Sequence, residues 1–178
     1  MPMKKDNHNA VDVKVGAFLK KWVVNTYGTD YIRLDKDSNL WSIIKMNLEL
    51  LPNDYTRIED RSEYIRFQLL HNSSDTRAYD SATGKVYQPN MLYRCCISKK
   101  GEHIIKRFLD KQFKNTFHNY MKGALNNNDD LAITDAITEF LCDSCQPDFD
   151  RKTISTLTKD WYRYRKKYPD EFKIPIFF

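Results

Sequence analysis

Lysine and arginine are the residues of this chain whose number and spacing carry the most chemistry. Residues 99 to 122 hold Lys99, Lys100, Lys106, Arg107, Lys111, Lys114 and Lys122 against Glu102 and Asp110, a net charge of +5. Residues 151 to 168 hold Arg151, Lys152, Lys159, Arg163, Arg165, Lys166 and Lys167 against Asp160 alone, a net of +6. The whole chain is only +5, so the remainder is net acidic. Such polarisation speaks of partners rather than of fold.

At about 100° per residue, Lys100, His103, Arg107, Lys111, Lys114 and His118 form one helical stripe, roughly opposite a face with Leu109 and Phe113. Lys152, Lys159, Arg163 and Lys166 form a second stripe opposite Leu157 and Trp161, with Tyr162 beside it. Phosphate contacts need mobile cations on one face, and a neighbouring aromatic can stack on a base or anchor the helix. Ordinary solvated helices carry charge stripes too, but the scarcity of acids here tips the reading toward function. The expected nucleic-acid-binding set is therefore Lys152, Lys159, Tyr162, Arg163 and Lys166, aided by Arg107, Lys111 and Lys114, with DNA as the partner.

Cys142-Asp-Ser-Cys145 has the spacing of half a zinc site or of a redox pair. Redox activation draws on a helix N-terminus to stabilise the thiolate, whereas this pair falls at the end of a helix. A four-thiolate zinc site would need the adjacent Cys95 and Cys96 to point the same way, and neighbours on a strand point oppositely. One of that pair with His103 or His71 is the remaining way to complete a zinc site. The reading adopted is no metal and no cofactor: reduced, mostly structural thiols in a cytoplasmic protein. His103 and His118 are expected on the exposed basic face. The chain shows no nucleophile elbow, no glycine-rich phosphate loop and no helical His-Glu metal motif, so no catalytic residue is assigned and no enzyme is expected.

The elements that must position these residues follow from periodicity. The composition, 41% hydrophobic and 30% charged over 178 residues, is that of a globular chain, read as a single domain 1–178. Residues 1–12 are polar and read as mobile, with no apolar run of a secretory signal and no membrane span anywhere. Val15, Phe18, Leu19, Trp22 and Val23 predict a helix near 12–26, stopped by Gly28. A short extended piece at 31–34 precedes Ser38, which caps a second helix with Leu40, Trp41, Ile44, Leu48 and Leu51, ending at Pro52.

Alternating Ile65, Phe67 and Leu69 predict a strand at 64–69, Met91 to Ile97 a second, and Ala78-Tyr79 with Val86-Tyr87 a hairpin. The β-rich part is thus 62–98, a small antiparallel sheet of three or four strands inserted between helices two and three. Ser98 caps a third helix whose face is Ile105, Leu109, Gln112, Phe113, Thr116, Phe117 and Tyr120, closed by Gly123. A fourth helix buries Ile133, Ala136, Ile137, Phe140 and Leu141. Asp150 caps a fifth with Ile154, Leu157, Trp161, Tyr164 and Tyr168. Residues 169–178 read as an extended apolar tail that packs on the chain's own core, through Phe172, Ile174, Ile176 and Phe178, or docks on a protein partner. The expected fold class is α+β with about five helices.

Helices four and five, about six residues apart, can be drawn as a helix-turn-helix, although Pro147 stands where many such turns have glycine. The run Leu157-Thr-Lys-Asp-Trp-Tyr-Arg-Tyr-Arg-Lys166 resembles the ends of uncharacterised proteins encoded by bacterial phages and mobile elements. This resemblance covers the last fifty or so residues and implies a phage or mobile-element context without a defined activity. The function expected is a nucleic-acid-binding accessory or regulatory protein contacting the phosphate backbone. The competing expectation is a phage structural or protein-interaction protein, a virion component or a host-factor antagonist, whose basic faces meet an acidic protein surface.

Overall fold

The computed structural model describes residues 10–51, 58–69, 77–87, 95–128, 130–145 and 149–172. The fold is α+β, with five α-helices and two small mixed sheets among the described residues. The chain divides into two compact units, Met1–Leu109 and Asp110–Phe178.

The first unit opens with a strand, β1 (Ala10–Lys14), where mobility was expected up to residue 12 and a helix from there on. Val11 and Val13 are buried and alternate with Asp12 and Lys14, the period of a half-buried strand. Gly16, at φ 91°, then turns the chain, a conformation that favours glycine, so helix α1 starts only at Ala17 and runs to Tyr27. Leu19, Trp22 and Val23 form its buried side, and Gly28 ends it in the left-handed conformation, as the sequence predicts.

Next come β2 (Tyr31–Ile32) and α2 (Asn39–Met46). Ser38 caps α2 by accepting from the Trp41 amide at 3.2 Å. This helix ends well before Pro52, because Leu48–Leu50 leave it as strand β3. Leu48 keeps helical spacing with Ile44, yet its partner is Ile97, far along the chain. Beyond it lie β4 (Tyr64–Gln68), β5 (Ala78–Tyr79), β6 (Val86–Tyr87) and β7 (Cys95–Ile97). The start of the second expected strand, residues 91–94, lies outside the described residues.

One sheet has the order β1-β4-β2 and the other β6-β5-β3-β7. Neither is purely antiparallel: β2 runs parallel to β4, and β3 parallel to β5. The wholly antiparallel sheet expected between helices two and three is thus corrected to two mixed sheets that also recruit β1, β2 and β3. The expected hairpin is present, with β5 and β6 antiparallel and Gly84 at φ 70° in its turn. Across β1 and β4, opposite residues Asp12 and Arg66 form a bidentate pair at 2.9 and 3.1 Å.

Ser98 caps the third helix, α3 (Lys99–Asn127), accepting from the Gly101 amide at 2.9 Å. Gly101 is buried where α3 meets the end of α2: a Cβ there would lie 2.5 Å from the Asn47 Cβ. The helix runs through Gly123 rather than stopping at it. Glycine inside a helix costs only about 1 kcal/mol relative to alanine, which the packing of buried Met121 can offset.

The second unit consists of the C-terminal part of α3 with α4 (Ile133–Cys145) and α5 (Arg151–Lys167). From α3, Phe113, Phe117 and Met121 supply its core at four-residue spacing; Gln112 and Thr116, expected on that face, are exposed. Ala136, Ile137, Phe140 and Leu141 come from α4, and Leu157 and Trp161 from α5. The Phe117 ring meets Phe140 at 5.3 Å and Trp161 at 6.5 Å. Each such aromatic pair contributes about 0.5–1.5 kcal/mol beyond area burial. Pro169–Glu171 form a 3-10 turn rather than extended chain, and Phe172 packs edge-on against Trp161 at 5.4 Å. The rest of the expected extended tail, residues 173–178, lies outside the described residues.

Candidate nucleic-acid interface

Helix α5 begins with a strong local signal. Asp150 accepts from the Thr153 amide at 2.8 Å and from its hydroxyl at 2.7 Å, which holds the carboxyl below the ordinary carboxylate range. The helix then divides its residues as the sequence predicts. Leu157 and Trp161 are buried, and Lys152, Lys159, Tyr162, Arg163 and Lys166 are exposed. Among the described residues none of these four cations takes part in an ion pair.

The other basic residues of α5 are differently employed. Arg165 lies over the Phe172 ring at 5.3 Å, and Lys167 over Tyr168 at 5.1 Å. Four exposed cations on one side of a helix, with a phenol beside them, make a surface suited to a line of phosphates.

The stripe on α3 departs from expectation. Lys111 is exposed, but Lys114 sits 3.2 Å from Asp160 and Lys122 sits 3.0 Å from Glu171. His118, placed by sequence on the exposed face, has only 12% of its side chain accessible. Its Nε2 lies 2.8 Å from the Asp160 carboxylate and its ring stacks on Tyr164 at 4.0 Å. Lys114, His118 and Lys122 therefore form the seam where α3 meets α5. For Lys114 and His118 the physical reason is Asp160, the one acid on α5: it stands beside the apolar face of its helix, where the Lys114 ammonium and the His118 ring nitrogen both reach it.

A second node lies further along the seam. Tyr164 donates to Glu171 at 2.8 Å, and Lys122 donates to the same carboxylate oxygen. The Lys122 bond lowers the Glu171 pKa and raises that of Lys122, while burial is the main cause of the upward shift of Tyr164. Sequence reasoning missed both nodes. The signal that points to the first is a lone acid on a cationic helix, three residues after the buried Leu157.

Lys111, Lys114 and the five α5 residues thus belong to the second unit, whereas Arg107, exposed on α3, belongs to the first. So does His103, which is exposed as expected.

The cysteines are thiols rather than disulfides. Burial pushes Cys95 up to about 12 and Cys96 to about 11, the latter helped by the charges of Glu49 and Glu102. Cys142 is exposed and Cys145 buried, so the two sulfurs of the pair on α4 lie in different environments. Among the described residues there is no cluster of three or more His, Cys, Asp or Glu able to hold a metal, and no helix long and apolar enough to cross a membrane. The turn on which a helix-turn-helix would depend includes residues 146–148, outside the described residues. Comparison with protein-family models, with curated proteins and with solved structures finds no match to this chain.

Proposed function

We propose that this protein binds nucleic acid, as an accessory or regulatory factor that grips the phosphate backbone through the outward face of α5. The observation that carries the reading is the set Lys152, Lys159, Arg163 and Lys166, exposed together without an ion-pair partner among the described residues. Like charges crowded on one face repel one another, and condensing them against phosphates relieves that repulsion while releasing counterions. Lys111 adds to the set. Lys114 contributes less than its charge suggests, because Asp160 already neutralises it. Arg107 is kept as an auxiliary contact on its exposure alone. An accessory role in a phage or mobile element, inside a bacterial cell, is part of the same proposal.

A second reading has one observation in its favour. On α4 of the same unit Asp135, Glu139 and Asp143 are exposed at four-residue spacing, an acidic stripe of the kind that a basic helix face meets in a protein complex. The test is binding of the purified protein at low salt to labelled DNA and to polyglutamate, with sedimentation of the protein alone. DNA binding without self-association supports the nucleic-acid reading. Capture of polyglutamate but not DNA, or salt-sensitive self-association without DNA binding, supports the protein-interaction reading.

A further inference from the structure

Tyr162 is the one aromatic residue of α5 that the core does not use. Trp161 and Tyr164 stack at 5.9 Å, and Tyr164 and Tyr168 meet at 4.9 Å. The Tyr162 side chain is instead 55% exposed and, among the described residues, makes neither a ring contact nor a hydrogen bond. Lys159 precedes it by three residues and Lys166 follows by four, so helical periodicity makes both neighbours of the ring, while Arg163, directly after it, lies about 100° further round the helix. At 1.5 Å rise per residue the cationic line from Lys152 to Lys166 runs about 21 Å, with the ring within it.

Resting on the reading that α5 binds nucleic acid, we propose that its ligand is a single strand, one base stacking on the Tyr162 ring while Lys159, Arg163 and Lys166 hold the neighbouring phosphates. Cations alone would serve a duplex equally well. The ring decides between the two. In a duplex the base faces are already stacked on one another, and opening a step for a side chain costs a few kcal/mol. In a single strand each base offers a free face, and stacking on an aromatic side chain favours binding whatever the sequence. Helix α5 also has no Asn or Gln, the side chains that pair bidentately with adenine in a major groove. Sequence-tolerant binding through stacking and phosphates is what remains.

The experiment measures fluorescence anisotropy of a labelled oligothymidylate of about 20 nucleotides, longer than the cationic line, and of a mixed-sequence duplex of equal length. The full-length parent is compared with Tyr162→Ala, Tyr162→Phe and the triple variant Lys159→Ala, Arg163→Ala, Lys166→Ala. The parent should favour the single strand. Tyr162→Ala should weaken it about 5- to 150-fold and weaken duplex binding by a smaller factor, while Tyr162→Phe, which keeps the ring, stays close to the parent. The triple variant should bind both ligands more weakly than the parent does. Tyr162 is outside the core, so all variants should melt with the parent. A parent that favours the duplex, or a Tyr162→Ala variant that holds the single strand as tightly as the parent does, overturns this inference while leaving the nucleic-acid reading standing. Failure of the parent to bind either ligand at low salt overturns both.

Discussion

The His118 ring nitrogen Nε2 lies 2.8 Å from the Asp160 carboxylate, and this pair ties α3 to α5 within the second unit. Lys114 shares the same carboxylate at 3.2 Å. Asp160 thus has two effects of opposite sign: it holds two helices together and it removes cations from the candidate interface. Asp160→Ala should lower unfolding free energy by about 1–3 kcal/mol, because it strands a partly buried imidazole. The same change should steepen the salt dependence of DNA binding by about 0.9, because Lys114 is released. Denaturant melts paired with a salt titration check both. Loss of stability with weaker DNA binding would show that the seam, not the charge, governs the interface.

Glu171, Tyr164 and Lys122 make the second tie, and its pH window follows from their shifts. Glu171 is lowered from 4.5, so its contribution is present above that value and lost as pH falls through its lower folded value. Lys122 is raised from 10.5 and Tyr164 from 10.0, so their contributions are present below those values and lost as pH rises through the raised ones. The melting difference between the parent and Glu171→Gln should therefore be level near neutrality and shrink at both extremes. A difference that stayed constant down to pH 2 would contradict this account of the tie.

Cys142 should be the thiol that reacts first. It is exposed, whereas burial pushes Cys95 and Cys96 well above neutrality and Cys145 is closed off within the core. Titration with a chromogenic disulfide should release one equivalent quickly and the other three on unfolding, and metal analysis should find no stoichiometric zinc. Four fast equivalents, or one bound zinc per chain, would refute the structural role given to these thiols.

At Gly101 two effects compete. Alanine would gain about 1 kcal/mol in helix propensity. The added Cβ, however, would lie 2.5 Å from the Asn47 Cβ and 2.8 Å from an Ile97 methyl, closer than packed atoms come. Overpacking of this kind costs about 1–3 kcal/mol, so Gly101→Ala should lower the melting temperature. Gly123, whose added Cβ would meet nothing within 4 Å, is the control and should gain stability on the same change.

What the sequence revealed and what it hid divide along the distance between partners. Ser38, Ser98 and Asp150 are visible as caps because each bonds an amide three residues on. The outward face of α5 is visible because one helix defines it. Strand β3 is not, because Leu48 keeps the helical spacing of Ile44 and only pairing with Ile97 draws it out. The parallel pairs β2–β4 and β3–β5 have no local signature at all. Strand β1 has a partial signal, alternating Val11, Val13 and Val15, masked by the helical period that Val15 shares with Phe18 and Leu19. The helical period of α3 places His118 in solvent because nothing local announces Asp160, which lies 42 residues away.

The most direct test of the central claim is the salt dependence of duplex DNA affinity in the parent and in the triple variant Lys159→Ala, Arg163→Ala, Lys166→Ala. With four phosphates neutralised by Lys152, Lys159, Arg163 and Lys166, log affinity against log salt should fall with a slope near about −3.6. Removing three of those cations should cut the slope by roughly 2.7 while the melting temperature stays at the parent's value, because all three side chains are exposed. A triple variant that binds with the parent's affinity and slope would contradict the claim, as would a parent that binds no DNA at low salt.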